Sequence, residues 1–437
     1  MSPAVAERIE RIFGEPLTPM QVVERILADV EAHGDAAVLE YTERIDGVRL
    51  DPATLFVDEV EIEQARAAVG ERTLAAIRHA CRRVRAFHEA QKERSWLIEG
   101  EDGEILGQRV FPLERVCCYV PGGRAPLPST AVMSVVPAKV AGVEEVIVAT
   151  PAGPGGKVNP YLLVAAVEAG ADRILKVGGA QAIAAVAVGT TWIPKVDKVV
   201  GPGNIFVTLA KKAVFGRVGI DALNGPSEIA VVADSSARPD WVAADLLSQA
   251  EHDPEAAALL FTDSPELADA VCRALEEQLA GLERRAVARE SLDRWGALVV
   301  CRDLDEACSW VDHLAPEHVE LMVRDPWSLL PKIRFAGAIF LGPHSTEPIG
   351  DYIAGPSHIL PTNGTARFSS PLSVRDFLRR SSVIVYNAQA FARVVDDAIL
   401  LAEKEELGAH AAAMRIRRAE GEGAAGTPAR GDGGGER

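Results

Sequence analysis

Residues 115–123 read RVCCYVPGG, a short run of strand-forming residues closed by a Pro-Gly-Gly turn. The same unit recurs as EEVIVATPAGPGG (144–156), DRILKVGGA (172–180), DKVVGPGN (197–204) and EIAVVAD (228–234). Helical stretches such as YLLVAAVEAG (161–170) and AQAIAAVAVG (180–189) lie between these runs. Strand, glycine turn, helix and strand at a spacing of about 25 residues predict βαβ units, hence a mainly parallel sheet with helices on its faces. A second series follows: AALLFTD (257–263), GALVVCRD (296–303), HVELMV (318–323), AGAIFLG (336–342) and SVIVYN (382–387). The expected fold class is therefore α/β, with two parallel sheets of similar size. Residues 18–96 are rich in helix formers with apolar repeats at three and four, as in VVERILADVEAHG (22–34). After residue 385 the chain turns helical again. It closes on GEGAAGTPARGDGGGER (421–437), whose composition predicts a disordered tail.

The bulk numbers narrow the class of function. At 437 residues the chain exceeds one small core and suggests about two to three domains. A formal charge of −17 argues against nucleic acid or an anionic membrane as the main partner, since both would repel it. The opening MSPAVAERIERIFGEP is charged from residue 7 and lacks the apolar stretch of a signal peptide. The longest uncharged run, Val177 to Pro194, holds a glycine pair, a glutamine and two threonines, so it reads as strand, turn and helix and not as a membrane span. Six cysteines without CxxC spacing fit reduced thiols and a cytoplasmic location.

In open parallel sheets ligands bind beyond the carboxyl ends of the strands, which marks YVPGG, VGGAQ and GPGN as places to expect one. GxGxxG occurs only as GEGAAG (421–426) in the glycine-rich end of the chain, away from any strand–turn–helix unit, and GxxxxGK[ST] does not occur, so the local pattern alone makes only a weak case for a nucleotide. In WVAADLLSQAEHDP (241–254), Asp245, Gln249 and His252 recur at four and three and share one helix face. Gln249 and His252 pointing together at a divalent ion would suit zinc or its neighbours, although by residue type Glu251 is the better ligand and a histidine in a last turn also suits the helix dipole. The Gly/Pro-rich stretch GPHSTEPIGDYIAGPSHILPT (342–362) carries His344, Asp351 and His358 in an expected loop, of the kind often held by a ligand. EELGAH (405–410) places His410 five residues after Glu405 on the late helix, where its charges read as a solvated face. In LAPEHVEL (314–321), Glu317 and His318 adjoin in a segment otherwise patterned as core. They mark either an element boundary or a pair with specific partners.

Taken together these motifs resemble one family, histidinol dehydrogenase. The resemblance runs from about residue 20 to 415 and is carried by eight segments in order. They are YVPGGRAPLPSTAVMSVVPAKVAGV, KVGGAQAIAAVAVGT, PKVDKVVGPGNIFVTLAKK, GPSEIAVVAD, LLSQAEHDP, LAPEHVEL, GDYIAGPSHILPT and GTARFSSPLSVRDFLRRSSV. It implies that Gln249, His252 and Asp351 are zinc ligands, and that His410 is a fourth, supplied by the other subunit of a homodimer through a swapped C-terminal tail. It implies further that Glu317 and His318 are the catalytic pair. Tyr119, Gln181 and Asn204 would contact NAD⁺. Ser227, His358 and Glu405 would contact substrate beside the zinc ligands and His318. The implied fold is a pair of incomplete Rossmann-like domains with small terminal extensions: 1–18; 19–118 with 228–372 as the larger domain; 119–227 on the NAD side; 373–420 as the swapped extension; then the tail, 421–437.

The implied reaction takes L-histidinol to L-histidine through a bound aldehyde, with one zinc per subunit and two NAD⁺. A dehydrogenase for another small polar alcohol keeps the same scaffold. Thiolate chemistry at Cys117 or Cys118 is a competing mechanism, disfavoured because both lie in an expected strand with only Arg115 nearby.

Overall fold

The computed structural model describes residues 3–122 and 126–424. Thirteen strands form in chain order: β1 (Trp96–Glu99), β2 (Ile105–Pro112), β3 (Arg115–Tyr119), β4 (Glu145–Ala149), β5 (Arg173–Leu175), β6 (Lys198–Val200), β7 (Gly219–Ile220), β8 (Glu228–Ala233), β9 (Ala257–Thr262), β10 (Ala297–Val300), β11 (His318–Met322), β12 (Ala338–Leu341) and β13 (Leu378–Val385). Two five-stranded sheets, ordered β5-β4-β3-β6-β7 and β10-β9-β8-β11-β12, are parallel throughout. Both have the order of half a doubly wound fold, with the topological switch beside the first strand, at β3/β6 and at β8/β11. The expected α/β architecture with two incomplete Rossmann-like sheets is therefore present.

Its details differ from expectation in four places. EIAVVAD is not the last strand of the first series but β8, the central strand of the second sheet. SVIVYN falls in β13, which joins β1 and β2 in a third, three-stranded sheet. Strand periodicity reports how deeply a segment is buried and is silent about its partner. The helices up to residue 89 cover the first sheet, and the last of them, Glu71–Glu89, also meets the 228–372 segment through Arg83, whose guanidinium donates to the Ile353 and Ala354 carbonyls. In the helix Pro19–His33 the stripe Val22, Val23, Ile26 and Val30 is buried against the helices Gly179–Val188 and Ile205–Val214. On the opposite face Glu59–Val69 and Glu71–Glu89 pack on Pro160–Ala169 and Pro128–Ala141. The expected boundary at 118/119 consequently falls inside β3. Finally, the late helix is two helices, Ala388–Lys404 and Gly408–Ala424, broken where Glu406 takes a left-handed φ of 59°. Of the expected tail, 421–437, the first four residues end the helix Gly408–Ala424, and the rest lies outside the described residues.

The chain divides into two compact units. One comprises the chain up to Lys92 with Pro112–Leu378, and so holds both parallel sheets. The other comprises Glu93–Phe111 and the chain from Arg379 onward. No helix among the described residues is long and apolar enough to cross a membrane.

Candidate active site

The helix Leu304–Leu314 ends with Ala315 in the left-handed region, at φ 51°, and the turn through Pro316 delivers Glu317 and His318 to the start of β11. Both are buried. His318 pairs with Ile229 of β8 and Ala338 of β12, so the two titratable groups stand at the amino edge of the second sheet. The Glu317 carboxylate accepts the Glu228 backbone N–H at 3.1 Å and a hydrogen bond from Ser227. His318 Nδ1 lies 3.0 Å from the Glu228 carbonyl oxygen. A carbonyl only accepts, so Nδ1 carries the proton and Nε2 is left as an acceptor. Nε2 is buried and has no partner in the protein. Burial holds the imidazole down to about pKa 4, against the pull of Asp351, and so keeps it neutral. The same burial, with Asp351 nearby, pushes the Glu317 carboxyl well above the usual range.

The adjoining metal candidates come from two further segments. The helix Pro239–Ala250 carries Gln249, which is fully buried with both amide atoms unpartnered. The helix stops at Ala250, so His252 stands beyond its end, exposed, in the turn before Pro254. The expected loop at 342–362 contains a short helix, Glu347–Tyr352, which sets Glu347 and Asp351 one turn apart. Ligand atoms of His252, Glu347 and Asp351 all lie within 4.8 Å of one another. Sequence reasoning missed Glu347; its spacing of four from Asp351, the hallmark of one helix face, was the available signal. An imidazole and two carboxylates are donors that fit a divalent ion of the zinc kind, and Gln249, three residues before His252, carries an orphaned amide. Glu251, the better ligand by residue type, is not in this group.

Glu347 belongs at the same time to a set of buried acids with Glu320 and Asp245. Glu347 is pushed up to about 8 by burial and then by Asp351, and its Oε2 accepts from Ser248 Oγ at 3.3 Å. Glu320 accepts the Glu347 N–H at 2.7 Å, and Asp245 accepts from Thr346 Oγ1 at 2.8 Å.

The remaining sequence candidates divide. His358 has both ring nitrogens engaged: Nδ1 donates to the Asp351 carbonyl and Nε2 accepts from Thr130 Oγ1, each at 3.0 Å. It therefore pins the Asp351 segment to the helix that follows β3. His344 is exposed beside the Trp241 ring, at 5.5 Å between centroids. Tyr119, Gln181 and Asn204 all follow carboxyl ends of the first sheet. Tyr119 Oη accepts the Gly179 N–H at 3.1 Å, and Gln181 is fully buried. Asn204 caps its helix through the N–H groups of Phe206 and Val207. The GPGN turn needs Gly201: its φ is 113°, and a Cβ there would sit 2.2 Å from the Tyr119 carbonyl. Glu405 and His410 are exposed and lie in the other unit. Cys117 and Cys118 are wholly buried, and burial pushes the Cys118 thiol up to about 12 and Cys117 further, which makes thiolate chemistry untenable.

A family model described as histidinol dehydrogenase matches residues 16–418. The chain belongs to the histidinol dehydrogenase family. The histidinol dehydrogenase of Syntrophotalea carbinolica is 53% identical over 91% of this chain and 92% of its own length. That of Aquifex aeolicus is 52% identical over 91% and 92%. The crystal structure of histidinol dehydrogenase from Elizabethkingia anophelis superposes with a TM-score of 0.89 at 34% identity, covering 96% of this chain and 97% of that one. Membership makes the chain a dehydrogenase of histidine biosynthesis.

Proposed function

We propose that the chain oxidises L-histidinol to L-histidine through L-histidinaldehyde with two NAD⁺, as a zinc-dependent cytoplasmic homodimer. The observation that carries this reading is the unpartnered, neutral His318 Nε2 beside Glu317, close enough to His252 and Asp351 for their charges to act on it. Zinc supplies a Lewis-acidic anchor for substrate nitrogen, and its candidate holders are Gln249, His252 and Asp351 here with His410 from the second protomer. His318 Nε2 takes the alcohol proton as hydride departs to the nicotinamide. The Glu228 carbonyl keeps the ring in the required tautomer throughout. Glu317 then orients and deprotonates the water that adds to the aldehyde carbon while protonated His318 returns its proton to the carbonyl oxygen, so that the neutral ring accepts the hydroxyl proton of the hydrate during the second hydride transfer. Ser227, held to Glu317, and Glu405 of the second protomer are the remaining substrate contacts in this reading. His358 serves mainly by fixing the Asp351 segment. Tyr119, Gln181 and Asn204 receive the dinucleotide at the other sheet.

The test is NADH formation from histidinol and NAD⁺ before and after chelation. Two NADH per histidinol, abolished by the chelator and restored by Zn²⁺, supports the reading. One NADH per substrate, or indifference to chelation, refutes it.

A further inference from the structure

Asp46 closes the turn Thr42–Asp46 after the first long helices, and its partly buried carboxylate reaches the first sheet. There its Oδ2 lies 3.1 Å from Gln181 Nε2. A carboxylate offers only acceptors, so this contact decides which way the Gln181 amide faces: the NH₂ is tied to Asp46 and the oxygen is turned away from it. Gln181 Oε1 is buried and has no partner in the protein. It lies over the bare Cα of Gly179, where a Cβ would approach it to 2.6 Å. A second orphaned polar atom, Thr150 Oγ1, stands just past the carboxyl end of β4, over Gly122. Two unpaired polar atoms above side-chain-free backbone, at the carboxyl edge beside a topological switch, are what a ligand seat requires.

We propose that Asp46 is a positioning residue of the dinucleotide subsite: by holding Gln181 Nε2 it presents Gln181 Oε1, and so selects a hydrogen-bond donor of the cofactor, a ribose hydroxyl or the carboxamide N–H, over a phosphate oxygen. This rests on the NAD reading of that edge. Burial raises the Asp46 carboxyl to about 6, with Arg8 and the Gln181 hydrogen bond opposing, so the group remains an anionic acceptor at neutral pH. Its charge is also felt at the phenol of Tyr119, which places three side chains at one seat.

The experiment uses the zinc-loaded full chain. NAD⁺ is titrated calorimetrically, and KM values for NAD⁺ and histidinol are measured separately, for wild type, Asp46→Ala and Asp46→Asn. Loss of one charge-assisted hydrogen bond predicts about a tenfold weaker NAD⁺ Kd and KM in Asp46→Ala, with kcat and the histidinol KM within about twofold. Asp46→Asn, which keeps an acceptor oxygen, recovers most of the affinity. Analogues that each lack one donor (a ribose hydroxyl replaced by hydrogen, or the carboxamide by a carboxylate) then identify the atom read. The relevant analogue binds wild type worse than NAD⁺ does and shows no further loss in Asp46→Ala. Unchanged NAD⁺ affinity in Asp46→Ala overturns the proposal, as does a parallel rise of both KM values with a lowered Tm, the mark of a scaffold residue. If Asp46→Ala folds poorly, Asp46→Ser is read in the same way. Failure of the wild type to bind NAD⁺ would instead remove the reading beneath.

Discussion

The two parallel sheets have the same strand order and, in the proposed function, work at opposite edges. In the first, the ligand-directed features lie past the carboxyl ends of β3, β4, β5 and β6, and they are mostly backbone: Gly178–Gly179, the GPGN turn, and one buried glutamine. In the second they lie at the amino ends of β8 and β11, and they are titratable side chains: Glu317, His318 and, beside them, Ser227. A dinucleotide is large and needs close approach to bare backbone, which glycine turns permit. Proton transfer needs a dry pocket with a fixed tautomer, which a strand start packed between two neighbours supplies. Topology therefore does not choose the working edge; the residues that end or begin the strands do.

The amino edge is broken most severely by His318→Asn. We expect both oxidation steps to fall by ~10²–10⁴-fold, measured separately with histidinol and histidinaldehyde. Glu317→Gln depresses the aldehyde step more than the alcohol step, and equal losses would contradict the division of labour. The burial of His318 also has a cost that pH reveals. Its folded pKa of about 4 lies below the ordinary 6.5, so the unfolded chain binds the proton first and stability is lost as pH falls from 6.5 to 4. Denaturant titrations of zinc-stripped protein should show this loss, ~3 kcal/mol at most, in wild type and not in His318→Asn.

The carboxyl edge is broken by Gly201→Ala, which places a Cβ against the Tyr119 carbonyl at an unfavourable φ. A loss of about 2 kcal/mol and a raised NAD⁺ KM are expected, with the histidinol KM unmoved. A smaller effect of opposite sign is predicted for Gln249→Leu. Removing two orphaned buried amide atoms should stabilise the zinc-stripped protein by about 1 kcal/mol while zinc content after dialysis falls. A Gln249→Leu protein that retains zinc would show that this amide is no ligand. Cys117→Ser with Cys118→Ser should leave the rate constants unchanged.

The same contrast governs what was legible in the sequence. Each β-branched run ending in glycine or proline was visible, because both burial and the turn are local. Which sheet a run joins is a long-range choice, and so the strand pattern taken alone put EIAVVAD and SVIVYN in the wrong series, while the domain bounds implied by the resemblance kept them apart. The Glu317–His318 pair stood out as an anomaly in a core pattern. Gln249 was visible on a helix face shared with Asp245 and His252, but by type Glu251 ranked above it, and the resemblance decided for the glutamine. Glu347 was hidden by Pro348, which made STEPIGD look like loop and not a helix start. Asp46 carried no signal in the sequence, and only the fold brings it to Gln181 across 135 residues.

The claim on which the enzymology depends is that scattered donors meet at one ion beside the dyad. Anomalous diffraction at the zinc edge, from crystals of the zinc-loaded chain, tests it directly. We predict one peak per protomer within ~2.0–2.3 Å of Gln249, His252 and Asp351 and of His410 from the second protomer. A peak elsewhere, or ligation that leaves out Gln249 and His410, would contradict the account.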